Sequence, residues 1–256
     1  MSNPDGWFDS HCHLDFLESD PAATVEESRA AGVIGMITVG TDLTASQRCV
    51  EIASALDGVW ASVGVHPHDA SGFDAGAAER LRKMTGHEKV VAIGETGLDY
   101  YRDLSPRADQ MRAFRTQIEI GKELGLAVIV HMRDSHDDVF ATLDEVGPPD
   151  RLVFHCFSGG PEEARLALDL GGFISFAGNV SYKSAGNLRE AAAACPIERL
   201  LVETDTPFLA PLPHRGRPNR PALVPLVGAA LAAAAGVSPD RLAEATTANA
   251  RSVFGI

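Results

Sequence analysis

The chain has 256 residues, 45% of them hydrophobic and 22% charged, with a net charge of −13 at pH 7. That composition excludes a disordered or fibrous chain, and the length matches one barrel domain spanning residues 1–256. The acidic total opposes general attraction to nucleic acid, so a polyanionic substrate has to be held by local cations or by metal.

Met1 to Gly6 has no basic region followed by an apolar run, so no secretory signal is read there and a cytoplasmic location is expected. The first apolar run, Trp7–His13, carries His11 and His13 two residues apart. On a strand their side chains leave one face while Cys12 leaves the other. Asp20-Pro21 reads as a helix start and Gly32 as a helix stop. The runs Val33–Val39 and Val59–Val65 follow, the latter ending at His66. Val90–Ile93 is the fourth run and leads into Glu95. Ser105-Pro106 opens another helix, Leu126–Val130 ends at His131, and Gly147 stops a further helix. Leu152–Phe154 ends at His155, Gly172–Phe176 is the seventh run, and Leu200–Val202 leads to Glu203 and Asp205.

These eight runs are continuous rather than alternating, as parallel strands covered on both faces require, and helical segments separate them. The reading is a (β/α)8 TIM barrel with an added C-terminal helix. Of Pro221–Ala235 and Ser238–Phe254, one closes the barrel wall and the other is the addition; periodicity does not say which. The alanine-rich stretch Pro221 to Ser238 is too short and too weakly apolar for a membrane span, so no membrane partner is expected, and the chain is read as a monomer. The four cysteines form no CxxC pair and read as reduced, mostly buried thiols. Strand alternation turns Cys12 and Cys156 toward the helical layer.

Metal-competent residues stand at the carboxyl end of most runs, the face where barrel enzymes place their sites. His11, His13, Glu95, His131, His155 and Asp205 therefore read as ligands of two divalent metal ions, Mg2+, Mn2+ or Zn2+, with Glu95 able to bridge. Any one of these residues alone is better explained as a hydrogen-bonded structural group or a helix cap. The convergence of ligands from five strands favours metal. Glu203 shares the face of Asp205 and is either an outer base, an extra ligand, or a buried carboxylate bonded to backbone. His66 reaches the same face and is assigned to substrate, with less to say for His68. His87, His136 and His214 lie in helices or loops and are assigned nothing.

The chain resembles the TatD-type metal-dependent deoxyribonucleases, within the amidohydrolase-like barrels. The motifs that carry the resemblance are Asp9-Ser10-His11-Cys12-His13-Leu14-Asp15, Gly64-Val65-His66-Pro67-His68, Gly94-Glu95-Thr96-Gly97-Leu98-Asp99-Tyr100, Val128-Ile129-Val130-His131, His155-Cys156-Phe157-Ser158-Gly159 and Glu203-Thr204-Asp205-Thr206-Pro207-Phe208-Leu209. The resemblance implies one site from His11, His13, Glu95 and Asp205 and another from Glu95, His131 and His155. It also implies hydrolysis of DNA phosphodiesters from a 3′ end by a metal-activated hydroxide, with single strands or 3′ ends as partners and Asp205 and Glu95 catalytic. One departure lies in the loop Arg215-Gly216-Arg217-Pro218-Asn219-Arg220-Pro221, where an acidic residue is expected before the final proline. Arg215, Arg217 and Arg220 there are read as phosphate contacts, with Arg102 and Lys183 as lesser candidates. The alternatives are an amidohydrolase-like enzyme acting on C–N or ester bonds of a small molecule, and a catalytically silent scaffold. Glu95 in place of a bridging lysine disfavours the first, and the intact ligand set disfavours the scaffold.

Overall fold

The eight apolar runs become eight parallel strands in one sheet that follows chain order: β1 (Trp7–Cys12), β2 (Val33–Val39), β3 (Val59–Val63), β4 (Val90–Asp99), β5 (Ala127–Arg133), β6 (Leu152–Phe154), β7 (Phe173–Phe176) and β8 (Leu200–Val202). The computed structural model describes residues 6–256. Helices α1 (Pro21–Ala30), α2 (Leu43–Ala55), α3 (Ala75–Met84), α4 (Arg107–Leu124), α5 (His136–Val146), α6 (Pro161–Asp169) and α7 (Gly186–Ala194) connect consecutive strands and form the outer layer. Asp20 caps α1 by accepting from the Ala23 N–H, with Pro21 at the first helical position, as its sequence suggested. Gly147 ends α5 at φ 76°.

The two C-terminal helices divide their roles. α8 (Val224–Ala235) packs on α7 and β1 and so takes the last place in the wall. α9 (Pro239–Phe254) is the added element: its Ala250, Val253 and Phe254 join Phe8, Ile37, Val153 and Leu201 in the barrel interior and cover the end opposite the site. Among the described residues no single helix is long and apolar enough to cross a membrane.

β4 and β5 run further than their apolar stretches. After a register shift between Ile93 and Thr96, pairing resumes from Thr96 with Val130 to Asp99 with Arg133. Glycines 94 and 97 hide this extension in the sequence, because they add no apolar signal and weaken a strand. Their presence follows from crowding. Gly97 has φ 144°, and a Cβ there would overlap the carbonyl oxygen of His131. Gly97→Ala is therefore expected to cost about 3 kcal/mol of stability, combining backbone strain with steric overlap. Urea unfolding midpoints check this, and a wild-type midpoint would refute the close approach.

Among the described residues β1 and β8 share no strand ladder, and individual bonds close the barrel between them and the segment that follows β8. The Asp205 N–H donates to His11 O (2.9 Å), the His13 N–H to Thr206 O (2.9 Å), and Ser10 Oγ to Val202 O (3.0 Å). Barrel closure thus holds His11, His13 and Asp205, from opposite ends of the chain, in register.

Candidate metal centre

The six residues read as ligands meet at the carboxyl mouth of the barrel, and the two oxygens of Glu95 face different groups of donors. Oε2 lies 3.4 Å from His11 Nε2 and 3.8 Å from His13 Nε2. Asp205 Oδ1 completes that group at 3.9 and 3.6 Å from the same two nitrogens, which are themselves 3.2 Å apart. Oε1 lies 2.7 Å from both His131 Nδ1 and His155 Nε2, and 3.3 Å from His66 Nε2.

Bonds at the far side of the His13, His131 and His155 rings fix which nitrogen carries a lone pair, whereas His11 Nδ1 is buried without a partner. His13 Nδ1 meets the carbonyl of Val39 at 2.8 Å and must donate to it, which leaves Nε2 as the ligand atom. His131 Nε2 faces Asp99 Oδ2 at 3.2 Å, leaving Nδ1 toward Glu95. His155 Nδ1 faces Glu203 Oε1 at 3.3 Å, leaving Nε2 inward. His66 is the reverse case. Its Nδ1 accepts from the His68 N–H at 3.1 Å, so in the neutral ring the inward Nε2 carries hydrogen. Burial pushes the His66 pKa down to about 4, which keeps the ring neutral near pH 7. A neutral ring with an inward N–H is a donor rather than a ligand, which supports substrate contact over metal binding for this residue.

The donor set fits divalent metal. Ligands bonded at about 2.0–2.2 Å around a tetrahedral ion lie roughly 3.3–3.6 Å apart; His11 Nε2, His13 Nε2 and Asp205 Oδ1 lie 3.2–3.9 Å from one another, and Glu95 Oε2 lies 3.4 and 3.8 Å from the two imidazoles. Groups from His11, His13 and Asp205 and from His11, Glu95 and His155 each place their atoms within 4.8 Å of one another. Burial alone raises the Glu95 carboxyl, yet His155, His66, His11 and His131 outweigh it and hold Glu95 well below the usual carboxylate range. Burial likewise raises Asp205, but the bond to His13 and the nearby imidazoles leave it lowered. Both carboxylates are anionic at neutral pH, as ligation demands. Glu203 Oε2 is fully buried beside this centre with no protein donor, a further position suited to a cation's field.

Further residues reach the site beyond those expected from the ends of the apolar runs. Asp99 and Arg133 follow Glu95 and His131 by four and two residues on extended strands, so alternation brings them to the same face. Both line a cavity of about 620 Å3 over the centre, together with His66, His68 and Arg102. Asp99 receives His68 Nε2 at 2.9 Å as well as His131. Asp9, inside the first motif, accepts from the Thr204 N–H (2.9 Å) and Thr204 Oγ1 (2.6 Å), clamping β1 to the segment that carries Asp205. Burial pushes its carboxyl up to about 8 against those donors. Glu203 Oε1 accepts from the Cys156 N–H at 2.8 Å as well as facing His155.

Two expectations change or sharpen. Cys12 is buried in the layer between strands and helices, as alternation required. Cys156 is not: it lines the cavity, because β6 ends at Phe154 and Cys156 sits in a left-handed turn at φ 43°, where strand alternation no longer applies. Of the loop arginines, Arg220 pairs with Glu27 on α1 at 2.8 Å, and the Arg215 guanidinium lies 4.3 Å from the centroid of the Tyr182 ring. Neither they nor Arg217 and Lys183 line the cavity, whereas Arg102 and Arg133 do.

Comparison with known proteins agrees with the geometry. The family model described as "TatD related DNase" matches residues 8–255. The "Uncharacterized metal-dependent hydrolase YcfH" of Escherichia coli is 42% identical over 254 residues, covering 97% of this chain and 95% of that protein. The "3'-5' ssDNA/RNA exonuclease TatD" of Klebsiella pneumoniae is 41% identical over 243 residues, covering 93% of this chain and 92% of the relative. The crystal structure of YJJV, a TatD homologue from Escherichia coli, superposes with a TM-score of 0.94 at 30% identity, over 99% of this chain and 100% of that one. With a candidate ligand set at the mouth of the barrel and a family match over nearly its whole length, the chain belongs to the TatD-related DNase family.

Proposed function

We propose that the chain is a two-metal phosphodiesterase that removes nucleotides from the 3′ end of single-stranded nucleic acid, DNA foremost. The observation that carries this reading is the division of Glu95 between two donor groups, Oε2 with His11 and His13, which Asp205 also faces, and Oε1 with His131 and His155. The name of the Klebsiella pneumoniae relative supports the substrate class.

Divalent cations bound by these six residues supply Lewis-acid charge and lower the pKa of an attacking water. Asp205 accepts the proton of that water. Its side chain is 13% exposed, against 4% for Glu95 and 0% for Glu203, so it is the most open of these three carboxylates. Its backbone is fixed at φ 53° by the bond to His11 O, a conformation that aspartate tolerates better than most residues. His66 donates from Nε2 to a phosphoryl oxygen. Arg102 and Arg133 hold the neighbouring phosphate. Arg215 and Arg217 serve phosphates further along the strand, while Arg220 contributes less because Glu27 already occupies it.

Exhaustive chelation is expected to abolish cleavage of an end-labelled oligonucleotide, and returned Mn2+ or Mg2+ to restore it. Full activity in metal-free protein would overturn the mechanism, and hydrolysis of amides or lactones but not of phosphodiesters would overturn the substrate class. Arg102→Ala and Arg133→Ala are each expected to raise KM and to reduce the slope of log K against log salt by roughly one unit or less, with kcat little changed. Salt titrations of oligonucleotide cleavage test this. An unchanged slope in both variants would remove these arginines from the phosphate path.

A further inference from the structure

We propose that Phe16 and Phe208 form a stacking subsite for the unpaired nucleobase of the 3′-terminal nucleotide, an inference that rests on the nuclease reading above. Both are large apolar side chains left open to solvent, 45% and 51% exposed, and both line the cavity over the metal centre. Phe16 follows the ligands of β1 and Phe208 follows Asp205 by three residues, so barrel closure brings them together. Their rings meet at 82° with centroids 6.3 Å apart, forming a corner. The ring of His13 stacks on Phe16 at 4.9 Å and 17°, which gives that wall a fixed backing. Phe208 is held through its backbone, its N–H donating to Asp205 O at 2.8 Å and its carbonyl accepting from Asn219 Nδ2 at 2.7 Å.

The occupant follows from the pairing of this corner with Arg102 and Arg133, which line the same cavity. Planar apolar walls beside cations match one ligand chemistry, a flat base joined to phosphates, and such stacking tolerates any base. A corner this close to the metals admits a base only when it is free of its pairing partner. Single strands are therefore preferred over blunt duplex ends.

The test compares oligonucleotides ending in 3′-thymidine or in 3′-dihydrothymidine, whose ring keeps the same polar groups but is saturated and non-planar. Binding is read by fluorescence anisotropy with a terminal phosphorothioate linkage that slows hydrolysis, and cleavage is read on the ordinary linkage. Wild-type protein should bind the thymidine end at least about threefold more tightly. Phe208→Leu should weaken binding of the thymidine end by about tenfold, the scale of one stacked base, and reduce the discrimination, with metal content unchanged. The Phe16→Leu, Phe208→Leu double variant should abolish it. Equal binding of both ends by the wild type, or full discrimination in the double variant, overturns the subsite. Protein that cleaves both ends alike keeps the nuclease reading and overturns this one. Protein that discriminates in binding yet cleaves neither keeps the subsite and overturns the nuclease reading.

Discussion

Glu95→Ala is expected to strip both metal positions and to lower turnover by at least about a thousandfold, roughly 4 kcal/mol of lost transition-state stabilisation. The reason is geometric. One carboxylate presents Oε1 to His131 and His155 and Oε2 to His11 and His13, so its removal takes a ligand from both donor groups. It also removes a negative charge that offsets repulsion between two closely spaced cations. His13→Ala touches only one group, since His13 Nε2 faces Glu95 Oε2, His11 and Asp205. That variant should retain about half the bound metal. Elemental analysis of both variants, with circular dichroism to establish folding, checks the difference. Equal metal stoichiometry in wild type and Glu95→Ala would remove the bridging role.

The other large effect is expected for Asp205→Asn, a drop in kcat of about 10²–10⁴-fold with oligonucleotide binding largely retained. The amide keeps the size of the carboxylate and an oxygen able to face His13 Nε2, but it cannot take a proton from water at neutral pH. The conformation at φ 53° suits asparagine as well as aspartate, so the fold should not suffer. Single-turnover cleavage, measured beside metal content, separates lost proton transfer from lost metal. A kcat within a few-fold of wild type at full metal occupancy would move the base elsewhere, with Glu203 the nearest remaining carboxylate on that segment.

Much of the site was legible because a β-strand has a period of two and a parallel barrel sends every strand's carboxyl end to one face. Spacing alone placed His11 with His13 and gathered Glu95, His131, His155 and Asp205. The same rule, carried two or four residues further, reaches Asp99 and Arg133. Gly94 and Gly97 hide that continuation, because they interrupt the apolar run at Ile93 while the strand pairing extends to Asp99. Where the backbone leaves the strand the rule fails, and Cys156 at φ 43° enters the cavity that alternation had denied it.

The sequence by itself determined the strand count, the barrel class and the metal-competent residues, since each follows from local apolar runs and the residues that end them. It also carried the motifs by which the family is known. Only the tertiary structure decided that α8 closes the wall while α9 covers the barrel's far end, because the placement rests on contacts with α7, β1 and the barrel interior that are distant in sequence. It alone divided the oxygens of Glu95 between two donor groups and showed His66 presenting an N–H, because tautomers depend on partners distant in sequence. The loop arginines mark the same limit. Charge is visible in a sequence, but whether a guanidinium faces a cavity or a neighbouring glutamate depends on a contact such as Arg220 with Glu27, 193 residues apart.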